Sequence, residues 1–358
     1  MIRNFRSLGH QVEVVSIASK GPVKASAGQD DARPGKRRLP LVTELVALGY
    51  NLVGLPLVFW KLRQVGARLL YERYSLMNFS GILAGKLAGC PVVLEVNSPL
   101  ALEMARDGEI TLRRFARWSE RTICNLADRV AVVSTPLARI LTADGVHPDK
   151  LMVTPNGVDL DLFDEAVDSA TLRESLHLNG KVTIGFAGWF KSWHGIEFLI
   201  DAFQKAALDG KGGVLVLIGD GPRMPQIRSH VEKCGLGPFV IFSGPLSHDE
   251  IPAWLSLVDV AVQPAANEYC CPMKVIEYMA MRKAIVAPCQ ENITELLSGS
   301  EAALFKPNDL DDLARCLTKV VEDPTLRGRL GSAARRGLET RRLSWKANAE
   351  LVVSTINH

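Results

Sequence analysis

The stretch Tyr269–Pro288, YCCPMKVIEYMAMRKAIVAP, sets the reading of the whole chain. A turn at Cys270-Cys271-Pro272 opens a short helix that carries Lys274 and Glu277 and ends near Arg282-Lys283. The apolar strand Ala284–Ala287 follows directly. Proline suits the first helical position, where its missing N–H costs no helical hydrogen bond. The next N–H groups, of Met273 and Lys274, have no acceptor inside the helix. Such a helix start is an anion site, and phosphate is its usual occupant. Glu277 sits one turn after Lys274 on the same face, where a carboxylate can accept two hydrogen bonds from a ribose diol. Two readings stand at this point: a nucleotide-diphosphate site, or a surface helix with an i,i+3 Lys–Glu pair.

Outward from this stretch, short apolar strands alternate with helical patterns. Strands are predicted at Gln11–Ser16, Ala67–Glu72, Val92–Val96, Val130–Ser134, Leu151–Thr154, Val182–Ala187, Gly213–Ile218, Val240–Phe242, Val258–Val262, Ala284–Ala287 and Ala303–Phe305. Helical periodicity lies between them, as at Ile196–Ala207 and Leu310–Val321. This alternation predicts α/β architecture, with doubly wound parallel sheets covered on both faces. The 358 residues suffice for two such Rossmann-like domains facing across a cleft. The boundary falls near Val153-Thr154-Pro155-Asn156-Gly157, where a strand runs into a turn. Residues 1–153 form the first domain, 154–340 the second, and 341–358 a terminal helix. The polar segment 25–38, ending in Lys36-Arg37-Arg38, reads as a mobile loop. The chain opens inside a helix, Ile2–Leu8, so the first strand of the first domain and its glycine-rich turn are expected to be missing.

Composition is that of a soluble globular protein, 47% hydrophobic and 23% charged. No signal peptide opens the chain, and the longest uninterrupted apolar run, Leu52–Trp60, falls short of the roughly 20 residues a spanning helix needs. Seven scattered cysteines without C-x-x-C predict free thiols in a reducing cytosol. The seven histidines form no H-E-x-x-H and no cluster with cysteine, so no zinc is expected. Charge is divided unevenly: residues 1–150 hold 21 Lys and Arg against 13 Asp and Glu, a net of +8, and the remainder is net −5. A basic half suits lipid head groups or phosphate-bearing acceptors; ordinary solubility charge is the alternative. Leu45–Trp60 is unusually apolar between basic flanks and reads either as a membrane-surface helix or as a helix packed on the first sheet.

Several motifs in order resemble the retaining glycosyltransferases of family 4, the group 1 glycosyl transferases with the GT-B fold. They are Pro155-Asn156-Gly157-Val158-Asp159 with Phe163, Ile184–Gly188, Leu217-Ile218-Gly219-Asp220-Gly221-Pro222, Phe242–Leu246, and the Pro272–Glu277 helix. The resemblance runs through nearly the whole chain. It implies donor contacts at Gly188, Gly219, Gly221, Pro272 and Met273, and base-facing backbone at Pro245 and Leu246. Glu277 would hold the ribose. Retaining transfer in this family needs no protein nucleophile. The lever is positive charge and preorganised N–H donors around a departing diphosphate, supplied by Lys274 and the loop Gly188–Gly195.

That loop departs from the family. Trp189 stands where an arginine commonly follows the glycine, and His194 where a lysine commonly precedes Gly195; Lys191 supplies nearby charge, or His194 acts as a neutral or protonated donor. Phe190 reads as a packed aromatic. Of the family's paired glutamates only Glu277 is present, with Tyr269 at the first position. In the first domain, Asn97 occupies the place of a histidine that often faces the donor sugar, and an amide can still bind a sugar hydroxyl. Glu103, six residues on, is an acceptor candidate or a surface carboxylate; Glu72 and Arg73, at the carboxyl end of another strand, are acceptor candidates or members of a structural ion pair. Asp159-Leu160-Asp161 resembles a metal-holding D-x-D but sits at the domain junction, and no metal is expected.

The sequence thus predicts a hexosyltransferase using a nucleotide-diphosphate sugar of UDP or GDP type. The acceptor would be a glycan or lipid-linked saccharide of surface polysaccharide synthesis. The setting would be the cytoplasm, with peripheral contact at an anionic membrane and no nucleic acid. The competing reading is a truncated or degenerate, non-catalytic relative, favoured by Trp189, Tyr269 and the absent first strand.

Overall fold

The computed structural model describes residues 1–16, 40–164, 167 and 169–355. The segment expected to be a mobile loop, 25–38, and the last three residues of the chain lie outside them. The chain divides into two compact units, Met1–Pro155 with Asn348–His358, and Asn156–Ala347.

The first unit runs α1 (Ile2–Ser7), α2 (Pro40–Val65), β1 (Leu70–Arg73), α3 (Ser80–Ala88), β2 (Val92–Val96), α4 (Leu100–Arg106), α5 (Arg113–Leu126), β3 (Arg129–Val132), α6 (Thr135–Ala143) and β4 (Leu151–Val153). Its four strands pair in parallel in the order β1-β2-β3-β4. Val92, Val93, Leu94 and Val96 of β2 are all buried, the pattern of a strand covered on both faces. On one side Val93 and Ala131 pack with Phe5 and with Ala349 and Val352 near the end of the chain. The expected strand Gln11–Ser16 does not form: the segment is irregular, and Val14 and Val15 are exposed. Three valines at alternating or adjacent positions suggest a strand, but without a ladder partner the backbone polar groups stay with solvent.

The second unit continues with α7 (Ala170–Ser175), β5 (Val182–Ala187), α8 (Ile196–Lys205), β6 (Gly213–Ile218), α9 (Met224–Lys233), β7 (Val240–Phe242), α10 (Ile251–Ser256), β8 (Val260–Val262), α11 (Met273–Ala280) and β9 (Ala284–Pro288). It ends with α12 (Glu291–Thr294), β10 (Ala302–Phe305), α13 (Leu310–Glu322), α14 (Pro324–Thr340) and the first residues of α15 (Trp345–Ser354). The six parallel strands lie in the order β10-β9-β8-β5-β6-β7. The order reverses between β5 and β8. In such sheets the crevice outside the carboxyl ends of the strands at that reversal is where ligands bind. Strands β5 and β6 bury nearly every side chain, and Phe186, Leu215, Leu217, Val260 and Val262 join one core with Ile196, Leu199, Phe203 and Leu317 of the covering helices.

The apolar segment Leu45–Trp60 lies within one 26-residue helix, α2, that also contains Pro56. It packs mainly on α3 rather than on the first sheet, where one of the two sequence readings had it, and only one stripe of it is buried. Leu41–Val65 is long and apolar enough to cross a membrane, which the nine-residue run in the sequence did not suggest.

Candidate functional site

The strand-order reversal brings three segments together: the loop after β5, the loop after β6, and the turn before α11. Backbone hydrogen bonds lace the first two. Gly188 N–H donates to the Ile218 carbonyl at 2.9 Å, Phe190 N–H to Asp220 at 2.7 Å, and Arg223 N–H to Phe190 at 3.1 Å. The approach is so close that a Cβ on Gly219 (φ 122°) would stand 2.1 Å from the Gly188 carbonyl oxygen, and one on Gly221 would stand 2.4 Å from the Phe190 nitrogen. Only glycine fits there. Ser243 accepts the Gly219 N–H at 2.8 Å. Pro245, two residues on, is exposed and Leu246 is half-buried.

The turn before α11 is stapled from two distant points. Asn156 Nδ2 donates to the Cys271 carbonyl at 2.8 Å, and Asn292 Nδ2 to the carbonyls of Cys270 at 2.6 Å and Asn267 at 2.9 Å. Tyr269 is buried within this turn while Glu268 is exposed. Pro272 is the residue before the helix, and Met273 and Lys274 are its first two residues. The fixed turn therefore aims their N–H groups.

From α11, Lys274 reaches back to the end of β5. Its Nζ lies 4.4 Å from the centroid of the Phe186 ring, and a Cβ on Gly188 would be 3.2 Å from it. Burial pulls the Lys274 pKa down to about 8, against the charges of Cys270 and Glu277. Burial lifts Glu277 to about 7, against the pull of Lys274. Beside them the Tyr278 hydroxyl accepts the Ala187 N–H at 2.9 Å and so ties α11 to the last residue of β5.

The loop Gly188–Gly195 is part packed and part open. Phe190 is fully buried, as a packed aromatic should be, whereas Trp193 is 45% exposed. Lys191 Nζ lies 4.6 Å from the centroid of the Trp193 ring. His194 packs on Phe186 with ring centroids 5.4 Å apart. Burial and the neighbouring Lys274 charge push its pKa down to about 3. Burial thus favours the neutral ring. Two buried polar atoms in this loop, Trp189 Nε1 and His194 Nδ1, have no hydrogen-bond partner. Such atoms are costly unless a ligand or water meets them.

The first-unit candidates group around the carboxyl ends of β1 and β2. Asn97 Nδ2 donates to Glu95 Oε1 at 2.8 Å, Tyr71 donates to Glu95 at 2.6 Å, and Asn97 Oδ1 is buried without a partner. Glu72 and Arg73 do not pair with each other. Arg73 is exposed, while the Glu72 carboxyl lies beside Gly81, its Oε2 unpartnered, and burial raises its pKa to about 7. Adjacent strand residues face opposite sides of a sheet. Glu103 sits half-buried on α4.

Sequence reading missed Tyr278, Asn292 and Ser243, whose partners are remote in sequence. It also missed the buried Glu120 on α5, raised to about 7 by burial, whose Oε1 accepts the Ala101 N–H at 3.2 Å. Contrary to the sequence expectation, one histidine does cluster with a cysteine: His230 of α9 and Cys234, just past the helix's end, lie with Asp201 of α8 in a group whose donor atoms are all within 4.8 Å, and His230 Nε2 is 2.6 Å from Asp201. In Asp159-Leu160-Asp161 the first carboxylate accepts the Asp161 N–H at 3.2 Å, a local turn contact.

Comparison with known proteins follows this geometry. The family model for glycosyl transferases group 1 matches residues 181–323, and that for glycosyltransferase family 4 matches residues 1–162. The chain is 25% identical over 76% of its length to 72% of an alpha-D-kanosaminyltransferase of Streptomyces kanamyceticus. It is 24% identical over 90% of its length to 88% of a 2-deoxystreptamine glucosyltransferase of the same organism. The crystal structure of Anabaena HepE in complex with UDP superposes with a TM-score of 0.71 at 21% identity, over 84% of this chain and 82% of that one.

Proposed function

The chain belongs to the group 1 glycosyl transferases of family 4, with a GT-B fold, and from that premise we propose how this glycosyltransferase works. It moves a hexose from a UDP- or GDP-sugar, with retention, to a hydroxyl of a glycan or lipid-linked saccharide, in surface polysaccharide synthesis in the cytoplasm. The observation that carries the donor half is the placement of Lys274 and Glu277. A fixed turn aims the start of α11 at the strand-order reversal, Lys274 reaches Gly188, and Glu277 follows one turn behind.

Lys274 and the N–H groups of Met273 and Lys274 stabilise the departing diphosphate, where charge develops as the bond from sugar to phosphate breaks. The three close-packed glycines Gly188, Gly219 and Gly221 let the backbone approach the phosphates. Glu277 accepts the ribose hydroxyls, and backbone at Pro245 and Leu246 meets the base. Tyr269 lines the turn beneath the donor. Lys191 adds charge at the loop without replacing the family's loop lysine. His194 contributes a neutral ring and Trp189 an N–H, both meeting the donor through atoms now unpartnered. Asn97 orients the sugar, a role that rests on the resemblance, and Glu72, Arg73 and Glu103 meet the acceptor, Glu72 and Arg73 from their place at the carboxyl end of a strand. No metal enters the scheme.

A second acceptor reading has a specific basis. The second relative above is named a 2-deoxystreptamine glucosyltransferase, which favours a small aminocyclitol acceptor. The test is product analysis by NMR after incubation of the chain with UDP-glucose or GDP-mannose and either a lipid-linked saccharide or 2-deoxystreptamine. An α-linked product from an α-linked donor supports the proposal. An inverted product removes the retaining claim, and transfer only to the aminocyclitol removes the polysaccharide role.

A further inference from the structure

Helix α2 is built inside out. The stripe it turns to the rest of its unit includes Glu44, Asn51, Val58 and Leu62. Glu44, 5% exposed, accepts the backbone N–H groups of Thr111 and Leu112. Asn51 accepts the Phe79 N–H at 2.6 Å and donates to the Met77 carbonyl at 2.9 Å. Val58 and Leu62 pack with Ala84 and Cys90. The opposite face is apolar and open: Leu52 is 81% exposed, Trp60 70%, Val53 61% and Leu45 56%. Residues 45–60 carry no charged side chain at all. A surface helix ordinarily shows the reverse pattern, apolar inward and charged outward. A contiguous exposed apolar stripe of this kind marks a surface that something covers, and among the described residues nothing does.

Charge identifies the occupant. The first 150 residues are net +8 and the remainder net −5. Basic residues follow Trp60: Lys61, paired with Glu13 at 3.1 Å, then Arg63 and Arg68, both exposed. An apolar face ending in tryptophan and arginine matches the boundary between acyl chains and anionic head groups. Length alone would let Leu41–Val65 cross a bilayer. Crossing would strip Glu44 and Asn51 of the bonds that hold α2 to its unit, so the helix lies along the membrane instead. We propose that α2 docks the protein on an anionic lipid bilayer through the outer face of residues 45–60. The docking stands apart from the transfer reaction; where the acceptor is lipid-linked, it places the enzyme on the surface that carries it.

The test is co-sedimentation of the full chain with vesicles of phosphatidylcholine alone and of phosphatidylcholine mixed with phosphatidylglycerol. Binding to the mixed vesicles is expected to be roughly tenfold stronger and to weaken with added salt. Leu52→Glu combined with Leu57→Glu, both at outward positions, is expected to lower it by about tenfold or more, with the melting temperature and nucleotide binding unchanged. Failure to bind either vesicle overturns the proposal, as does binding that the double substitution leaves intact. A wild-type dimer in analytical ultracentrifugation that this pair converts to monomer, with no vesicle binding, assigns the face to a second copy and equally overturns it. Nucleotide titration of the same samples separates these outcomes from failure of the donor-site reading.

Discussion

The ends of the strands differ between the two units. In the second, the polar groups at the strand-order reversal are held from several directions: Asn156 and Asn292 pin the turn, Tyr278 pins β5, and Lys274 and Glu277 moderate each other's charge. In the first, Glu72, Glu120 and Asn97 each keep a buried oxygen without a partner. The second unit also keeps orphans, Trp189 Nε1 and His194 Nδ1 in the loop after β5; what sets it apart is the turn before α11, held by side chains remote in sequence. A nucleotide diphosphate is a constant demand on a donor domain, and rigid N–H donors meet it best. On the proposed reading, Glu72 and Asn97 would face sugar and acceptor, which vary, and Lys274 the diphosphate, which does not.

The largest expected effect sharpens the preorganised side. Lys274→Ala should lower transfer on the order of 10²–10³-fold, the scale for losing a charge-stabilising donor, measured as initial rate at saturating acceptor. An unchanged rate in a folded variant would remove Lys274 from leaving-group stabilisation. Next comes the glycine packing. Gly219→Ala forces a Cβ to 2.1 Å from the Gly188 carbonyl in a left-handed conformation. It should cost about 2 kcal/mol or more in a denaturant titration; a neutral result would show that the two loops are looser than they are drawn. Tyr278→Phe leaves the buried Ala187 N–H without its acceptor and should cost about 1–3 kcal/mol in the same titration.

The pH dependence follows from the shifted groups. Lys274, lowered to about 8, carries its charge below that pH, and Glu277, raised to about 7, is ionised above it. Nucleotide affinity should therefore peak between the two values, weakening as Lys274 loses its proton on the alkaline side and as Glu277 gains one on the acid side. A flat profile by fluorescence titration would break this link. The smallest effect belongs to the first unit. Burial raises Glu72 from 4.5 to about 7, so its stabilising contribution is full at acid pH and is lost as pH rises through about 7. Glu72→Gln should thus gain melting temperature relative to wild type above that pH; an equal difference at all pH values would place the carboxyl in contact with water.

Much of this was legible in residues whose behaviour is local. The bounds of β2, β5 and β6 follow from apolar runs buried on both faces, and the α11 turn follows from its proline. Gln11–Ser16 failed because pattern alone cannot supply a neighbouring strand. Tyr278 escaped because its partner, Ala187, lies 91 residues away, and the neutral state of His194 depends on Lys274 folding back beside it. The outward face of α2 was hidden by its own composition. In a helix apolar nearly all round, only the positions of Glu44 and Asn51 reveal which side is inside.

Calorimetric titration of UDP and GDP into the wild-type chain and into Glu277→Ala bears most directly on the donor site. Binding of one nucleotide by the wild type, weakened about a hundredfold or more in the variant by loss of a charged hydrogen-bonding partner, is the expected result. Equal affinity in the two folded proteins, or no binding by either, would contradict a nucleotide site at the start of α11 and return the chain to the reading of a non-catalytic relative.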